Sequence, residues 1–141
     1  MVRLSARSEY ALLALLDLAR RHGEGPQTTA ALARRNDIPH PYLEQILGAL
    51  RKAGYVRSRR GPGGGQTLAR PPEQISVAEV LRLLDGALAP VESVSEYFYE
   101  ETPISRSEPL LALFRRIRDD VAAVLESTTL ADLAADPGAP G

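Results

Sequence analysis

The fold is decided by residues 28–70, TTAALARRNDIPHPYLEQILGALRKAGYVRSRRGPGGGQTLAR. The start of this stretch predicts a short helix over 30–35, capped by Thr28 or Thr29, because a threonine hydroxyl can accept a hydrogen bond from a free N–H of the first turn. The proline at position 39 ends this helix, since the residue before a proline avoids helical backbone angles.

The next helix begins around Pro41, which is harmless in a first turn because its missing N–H has no helical partner there. One of its faces is apolar and consists of Leu43, Ile46, Leu47 and Leu50. The other faces carry polar or small residues, namely His40, Glu44, Gln45, Gly48, Arg51 and Lys52. Two short helices joined by a tight turn, the second with a polar face, are typical of a helix-turn-helix motif.

A β-hairpin is predicted directly after the motif. Residues 55–59 and 66–70 are expected to form two short strands around the glycine-rich loop 60–65, and Pro71 and Pro72 stop the second strand. A hairpin after a helix-turn-helix makes a winged helix.

The flanking residues add helices to this unit. Ser5 caps a first helix that runs to about Arg21, and because apolar residues cover most of its circumference we expect it to be buried and central. Ser76 and Glu79 form a capping box, from which a helix runs to about Asp85.

A long helix begins at Ser107, and its apolar residues are spaced 4, 3, 4, 3. This spacing indicates a coiled-coil seam and therefore a dimerisation helix. The residues concerned are Leu110, Phe114, Ile117, Val121 and Val124. Thr129 and Asp132 cap a last short helix.

Together these elements predict a mainly α fold: a winged helix-turn-helix domain with a two-stranded β wing, plus a long C-terminal dimerisation helix. We divide the chain into the winged domain (1–86), a segment without periodicity (87–106), the dimerisation helix with the short C-terminal helix (107–135), and a tail expected to be disordered (136–141).

Charge is distributed unevenly along the 141 residues. Residues 1–70 carry twelve basic and five acidic side chains, a net of +7, whereas residues 71–141 carry a net of −8. This asymmetry points to a polyanionic partner for the first half, although solvated surface charge would give the same count. The apolar run 10–19 is too short to span a bilayer, so we expect a cytoplasmic protein without a membrane partner.

Catalytic motifs are absent from the sequence. The two histidines have no serine or aspartate partner at a recognisable spacing, and the glycine-rich loop lacks the Lys-Ser/Thr that a phosphate cradle needs. There is no cysteine, which excludes disulfides and thiolate-held metals from this chain. We therefore predict no enzyme, no metal site and no cofactor.

The polar face of the second motif helix is better suited to binding nucleic acid. A helix fits the major groove, where glutamine pairs with adenine, glutamate accepts from cytosine, and arginine or lysine binds guanine or phosphate. The arginines of the wing could enter a narrow minor groove, and its glycines let the backbone approach phosphates. The alternatives are a solvated helix face and a flexible polar turn.

Three segments resemble the Rrf2 family of bacterial winged-helix transcriptional regulators: RLSARSEYALLALLDLA (3–19), IPHPYLEQILGALRKAGYVRSRRGPGGGQTLAR (38–70) and ISVAEVLRLLDG (75–86). The similarity extends over about 1–130. It implies a homodimer of winged helices, crossed by a long C-terminal helix, that binds palindromic promoters. It also implies that Glu44, Gln45 and His40 match the family's recognition residues, and that Arg60 matches an arginine that the wing places in the minor groove.

The sequence departs from the family pattern in one respect. Cluster-binding members have three cysteines in the loop before the long helix, and this chain has none. Glu9 stands where some members have an acidic cluster ligand, and without the cysteines we interpret it as a surface or intersubunit ion-pair residue. The chain therefore resembles a member of the family that lacks the cluster ligands.

Aromatic residues occupy the place of the cysteines. We weigh two interpretations of Tyr97, Phe98 and Tyr99: they line a pocket for a small-molecule or protein effector, or they pack on the dimer helices and sense nothing. Segment 87–106 is accordingly the candidate effector or sensor loop.

The function predicted is that of a sequence-specific DNA-binding transcriptional regulator, acting as a repressor, that binds a palindromic operator as a homodimer without an iron–sulfur cluster. A winged helix used for protein–protein interaction is the alternative. The residues predicted to contact double-stranded DNA are His40, Tyr42, Glu44, Gln45, Arg51, Lys52, Arg57, Arg59, Arg60, Gly61, Gly63 and Gly64.

Overall fold

A computed structural model describes residues 3–86 and 100–135. Within these ranges the chain forms six α-helices, one β-hairpin and two short 3-10 helices. The helices are α1 (Ala6–Arg20), α2 (Thr29–Asn36), α3 (His40–Lys52), α4 (Val77–Asp85), α5 (Glu108–Ser127) and α6 (Leu130–Ala134). The strands are β1 (Val56–Arg59) and β2 (Gly65–Leu68), and the 3-10 helices span Pro72–Gln74 and Pro103–Arg106.

The helices begin where the sequence predicts caps. Ser5 caps α1 by accepting from the backbone N–H of Ser8, and Thr28 rather than Thr29 caps α2. The capping box at the start of α4 is confirmed, since Ser76 and Glu79 satisfy each other's backbone N–H groups. The turn of the helix-turn-helix is made by Asp37, which ends α2 in the left-handed conformation (φ 52°).

α1 lies at the centre of the domain and contacts α2, α3, α4 and α6. Its core face is formed by Ala11, Ala14, Leu15 and Leu18, all of them buried. The prediction of a buried central helix holds for this face, whereas Leu13 on the outer face is 43% exposed.

The wing is an antiparallel hairpin in which Val56 pairs with Leu68 and Arg59 with Gly65. Both strands are shorter than predicted. β2 also pairs with the segment before α2, where Gln27 and Gln66 exchange backbone hydrogen bonds of 2.9 and 2.7 Å. Gly65 permits this contact, because a Cβ there would lie 2.5 Å from the carbonyl oxygen of Gln27. The wing is thus joined to the helix-turn-helix along its second strand.

The short helix α6 packs against α1 and the first 3-10 helix. Leu130 is fully buried in the same core as Leu15 and Leu47, and its N–H donates to the carbonyl of Ile75 at 2.9 Å. The sequence grouped this helix with the dimerisation helix, but its contacts are with the winged domain. Its position depends on the packing of Leu130 and Ala134 in this core and on a backbone bridge between Ser76 and Thr129, none of which leaves a periodic signal.

The sequence predicted where α5 begins, but it did not predict the short helix in the segment before α5. The expectation of an aperiodic loop is wrong for residues 103–106, which form a 3-10 helix after Thr102. α5 begins as predicted after Ser107. Only Leu111 of its residues is buried, and Leu125 packs against α4.

A polar network on Asp17 joins α1 to α2. The Asp17 carboxylate accepts hydrogen bonds from Arg35 at 3.0 and 2.9 Å and from Asn36 at 2.8 Å. Arg21 donates to it from the next turn of α1 at 3.0 Å. Burial of the carboxylate acts to raise the pKa of Asp17. The hydrogen bonds from Arg35 and Asn36 and the charges of the two arginines outweigh burial, so the pKa lies below its ordinary value.

We expect Asp17→Asn to destabilise the fold by about 1–3 kcal/mol at neutral pH, because the arginines lose a charged acceptor. A carboxyl whose pKa is lowered in the folded state stabilises it above the unfolded-state pKa of about 4, and this contribution is lost as pH falls through the folded-state value. The penalty should therefore shrink on acidification. Urea unfolding followed by circular dichroism at several pH values measures it.

Glu24→Gln is the matched control, since Glu24 is exposed and lies 3.8 Å from Arg21. It should change stability by less than about 0.5 kcal/mol at any pH. A penalty for Asp17→Asn that does not depend on pH would contradict the prediction.

Candidate nucleic-acid interface

The outward face of α3 is set by its inward face. Four aliphatic side chains point into the core with no more than 1% of their surface exposed, namely Leu43, Ile46, Leu47 and Leu50. The helical period then turns Glu44, Gln45, Arg51 and Lys52 outward, and all four are exposed. The structure thus places these predicted residues on the solvent side of one rigid helix.

The start of α3 is held against α1. The ring of Tyr42 meets that of Tyr10 edge to face, with centroids 5.5 Å apart and planes at 80°. Tyr42 still exposes 37% of its surface. The ring thus stabilises the position of α3, and its exposed part remains available to a partner.

His40 lies in the first turn of α3 beside Glu44. Its Nδ1 is 3.7 Å from Oε1 of Glu44, and both side chains are largely exposed. This distance is beyond hydrogen-bond range, so both side chains remain available to a partner.

The wing presents arginine to solvent. Val56 is the one buried residue of β1, while Arg57, Arg59 and the following Arg60 are exposed. Among the described residues none of these three arginines forms an ion pair, and neither does Arg51 or Lys52. Cations left without intramolecular acids are available to an external anion.

The tip of the wing is a tight turn that requires glycine for internal reasons. A Cβ on Gly64 would lie 2.1 Å from the carbonyl oxygen of Arg59, and the N–H of Gly64 donates to the carbonyl of Gly61 at 2.9 Å. Gly61 and Gly63 have positive φ, and a Cβ on either would meet open space. The turn itself therefore accounts for all three glycines, Gly64 through its close approach to Arg59 and Gly61 and Gly63 through their backbone angles.

Three of the sequence predictions concern residues outside the described ranges, namely Tyr97, Phe98 and Tyr99. The predicted tail 136–141 lies outside them as well. Among the dimerisation candidates, Leu110 and Val124 are 43% and 63% exposed, and Phe114, Ile117 and Val121 are partly exposed.

Sequence reasoning missed the residues that support the interface. Tyr10 of α1 holds the start of α3, and Gln27 joins the wing to the segment before α2. Neither carries a local signal, because each acts through a partner more than 30 positions away. Gly48 did carry one: a glycine inside a helix of good helix formers is unfavourable by about 1 kcal/mol relative to alanine.

Comparison with known proteins agrees with this architecture. The model of the Rrf2 family, described as iron-dependent transcriptional regulators, matches residues 4–136. The transcriptional regulator CymR of Bacillus subtilis is 40% identical over 133 residues, which cover 94% of this chain and 90% of CymR.

Two solved structures resemble the fold over nearly its whole length. The structure of CymR, the global cysteine regulator of B. subtilis, has a TM-score of 0.78 and 40% identity over 95% of this chain and 97% of that one. The oxidized form of Staphylococcus aureus CymR has a TM-score of 0.79 and 35% identity over 96% and 98%.

A helix-turn-helix, a wing and these relatives define a winged-helix transcriptional regulator, a class of DNA-binding proteins that are not enzymes. Within that class the chain belongs to the Rrf2 family. The family match and the fold were both predicted from the sequence and are confirmed.

The family description mentions iron, and the residues of this chain do not fit a thiolate-held cluster. Such clusters are bound mainly by cysteine, and the sequence contains none. Within residues 3–86 and 100–135 no three His, Asp or Glu side chains are grouped as a metal site would require. In the same part of the chain, no helix is long and apolar enough to cross a membrane.

Proposed function

We propose that this protein is a sequence-specific repressor that binds a palindromic operator as a homodimer and works without an iron–sulfur cluster. The observation that carries the proposal is the pairing of two surfaces: the exposed polar face of α3 and the exposed wing arginines without acidic partners. A repressor of this kind prevents transcription by occupying DNA that polymerase needs.

The two surfaces have different roles in DNA binding. Gln45 and Glu44, in the middle of a rigid helix, would meet base edges in the major groove, where a glutamine pairs with adenine and a glutamate accepts from cytosine. Arg51 and Lys52, at the end of α3, would bind phosphate, which fixes position without reading sequence. Arg60, beyond β1, would enter the adjacent minor groove.

Dimerisation follows from the surface that α5 leaves uncovered. Its seam is partly or largely exposed in one chain, and Leu113 on the same side is 51% exposed. Each aliphatic or aromatic side chain that a second copy buries contributes about 1.5–3 kcal/mol. A two-fold dimer presents two recognition helices, and its operator therefore contains two inverted half-sites.

Three substitutions should separate base reading from phosphate binding. Gln45→Ala should cost about 1–3 kcal/mol per half-site and relax specificity at one base pair. Arg51→Ala should weaken binding to all sequences alike and reduce the salt slope by about one per half-site. Arg60→Ala should cost most where an A·T tract narrows the minor groove. Fluorescence anisotropy on a selected operator, its variants and several salt concentrations measures all three.

The matched control is Arg116→Ala, which removes an exposed arginine from α5 and should leave affinity and salt slope unchanged. Equal losses on every sequence for Gln45→Ala and Arg60→Ala would contradict base reading. Failure of the folded wild-type dimer to bind any DNA at low salt would contradict the proposed function itself.

The dimer should depend on the seam of α5. Ile117→Glu places a charge in the middle of the seam and should give monomers or insoluble protein, because a buried unpaired charge is strongly unfavourable. Ala112→Glu places the same charge on the opposite, exposed side of α5 and should leave the dimer intact. Light scattering at several concentrations distinguishes the two, and a normal dimer for Ile117→Glu would refute the assignment.

The purified protein should be colourless and should bind its operator with iron removed. The physical reason is the lack of thiolates to hold a cluster. Anaerobic reconstitution followed by absorbance spectroscopy and iron and sulfide assays tests this, with operator binding measured before and after chelation. Stoichiometric iron and sulfide, or loss of binding on chelation, would overturn it.

Segment 87–106 is proposed as the effector loop. An effector there changes DNA binding only if it has different affinities for the competent and incompetent dimers. Tyr97→Ala combined with Tyr99→Ala should alter induction of an operator-controlled reporter in cells while purified protein still binds operator DNA. Normal repression and induction would favour the packing interpretation, and a reporter that falls when the regulator is deleted would contradict the repressor role.

A further inference from the structure

One carboxylate of α4, that of Glu79, is hydrogen-bonded to residues at both ends of the wing. Oε1 of Glu79 accepts hydrogen bonds from the Tyr55 hydroxyl at 3.0 Å and from the Arg70 guanidinium at 2.7 Å. Oε2 accepts from the backbone N–H and the hydroxyl of Ser76 at 2.9 and 3.2 Å. Both oxygens of Glu79 are therefore engaged, one by the wing and one by the cap of its own helix.

Tyr55 and Arg70 flank the hairpin. Tyr55 immediately precedes β1, and Arg70 comes two residues after β2. The two side chains also contact each other, with the Arg70 guanidinium 4.5 Å from the centre of the Tyr55 ring. A backbone hydrogen bond of 2.9 Å from Ala69 to Tyr55 closes the base of the wing between them.

We propose that Glu79 is a positioning residue, which fixes the angle of the wing against α4 and thereby the place where Arg60 meets DNA. This inference rests on the proposed function. A two-stranded hairpin has little stability of its own, so its orientation depends on what holds it. Val56 and Leu68 anchor the two strands in the core, Gln27 holds one edge of the wing, and Glu79 joins the residues at its base to α4.

The geometry makes the tip sensitive to the base. Arg60 is five positions after Tyr55, which is about 16 Å of extended chain. A rotation of about 10° at the base would move the tip by about 3 Å, whereas a binding group must be held within about 0.5 Å of its working position. Loss of the Glu79 contacts would thus remove the contribution of Arg60 without touching Arg60 itself.

The helix that carries Glu79 is also tied to other parts of the molecule. Arg82, one turn further along α4, pairs with Glu126 of α5. At the end of α4, Asp85 accepts from the backbone N–H and hydroxyl of Ser5 at 3.1 and 2.6 Å. A displacement of α4 caused at the dimer helix or at the following segment would consequently reach the wing through Glu79.

A double-mutant cycle tests the role of Glu79. In the wild-type background, Arg60→Ala should weaken binding to an operator with an A·T-rich minor groove by roughly ten-fold. In the Glu79→Gln background the same substitution should cost less than about three-fold, because the wing no longer presents Arg60 correctly. Gln45→Ala should cost the same in both backgrounds, since four buried side chains of α3 hold that helix in the core.

Glu108→Gln is the control background, because it removes a carboxylate whose hydrogen-bond partner, Arg115, lies on α5 and not on the wing. It should leave the cost of Arg60→Ala at its wild-type value. Tyr55→Phe removes one hydroxyl and provides a milder variant if Glu79→Gln does not fold. Equal costs of Arg60→Ala in the wild-type, Glu79→Gln and Tyr55→Phe backgrounds would overturn the inference, whereas absence of DNA binding by the wild-type protein would instead contradict the proposed function.

An independent observation concerns Gly48, which the sequence places among the polar residues of α3. A Cβ there would touch only the Arg51 guanidinium, at an ordinary 3.7 Å, so the fold does not require glycine. We infer that Gly48 is kept free of a side chain because the backbone of α3 approaches the floor of the major groove at this point.

Two measurements test this inference: the melting temperature, which should rise, and the affinity for the operator, which should fall. Gly48→Ala should raise the melting temperature by about 2–6 °C, as alanine favours the helix. It should also weaken operator binding by roughly ten-fold, because an added methyl overpacks the contact with DNA. A stabilised protein with unchanged or tighter binding would overturn the inference, and a destabilised one would contradict the open space described above.

Discussion

The packing of the inner face of α3 against α1 is the interaction on which the rest of the structure depends. Four aliphatic side chains of α3 are almost completely buried, and a helix buried on one side can present only its other side to a partner. The orientation of Gln45 and Glu44 is therefore a consequence of core packing. The edge-to-face contact between Tyr42 and Tyr10 then fixes the beginning of the same helix.

The sequence predicted well those features that repeat with a short period or depend on neighbours in the chain. The inner face of α3, the caps at Ser5 and Ser107 and the capping box of α4 are of this kind. It failed where a contact joins distant segments. The edges of β2 depend on the close approach of Gly65 to Gln27, and α6 is placed by the burial of Leu130, neither of which has a local pattern.

The charged residues of the candidate site show the same difference between what a local pattern predicts and what contacts between distant segments decide. Residues 1–70 carry a net charge of +7, but the sequence does not show which of their arginines form ion pairs within the fold. In the structure Arg35 and Arg70 are used internally, by Asp17 and Glu79, whereas the arginines of β1 have no acidic partner among the described residues. The pKa of Glu79 illustrates the internal use. Burial acts to raise it, and the hydrogen bonds from Ser76, Arg70 and Tyr55 outweigh burial and lower it.

Both kinds of arginine, the internally bonded and the exposed, lie in or beside the wing. α4 binds the internally bonded one, and in this way it bears on the exposed surface of the wing without forming part of it. Arg70 is bound within the fold by Glu79, whereas Arg60, ten residues earlier, is exposed. Coupling between an effector site and a DNA-binding surface requires a physical connection between the two. α4 is tied at one end to the base of the wing and further along to α5 and the start of α1. It therefore connects the base of the wing both to α5 and to the start of α1.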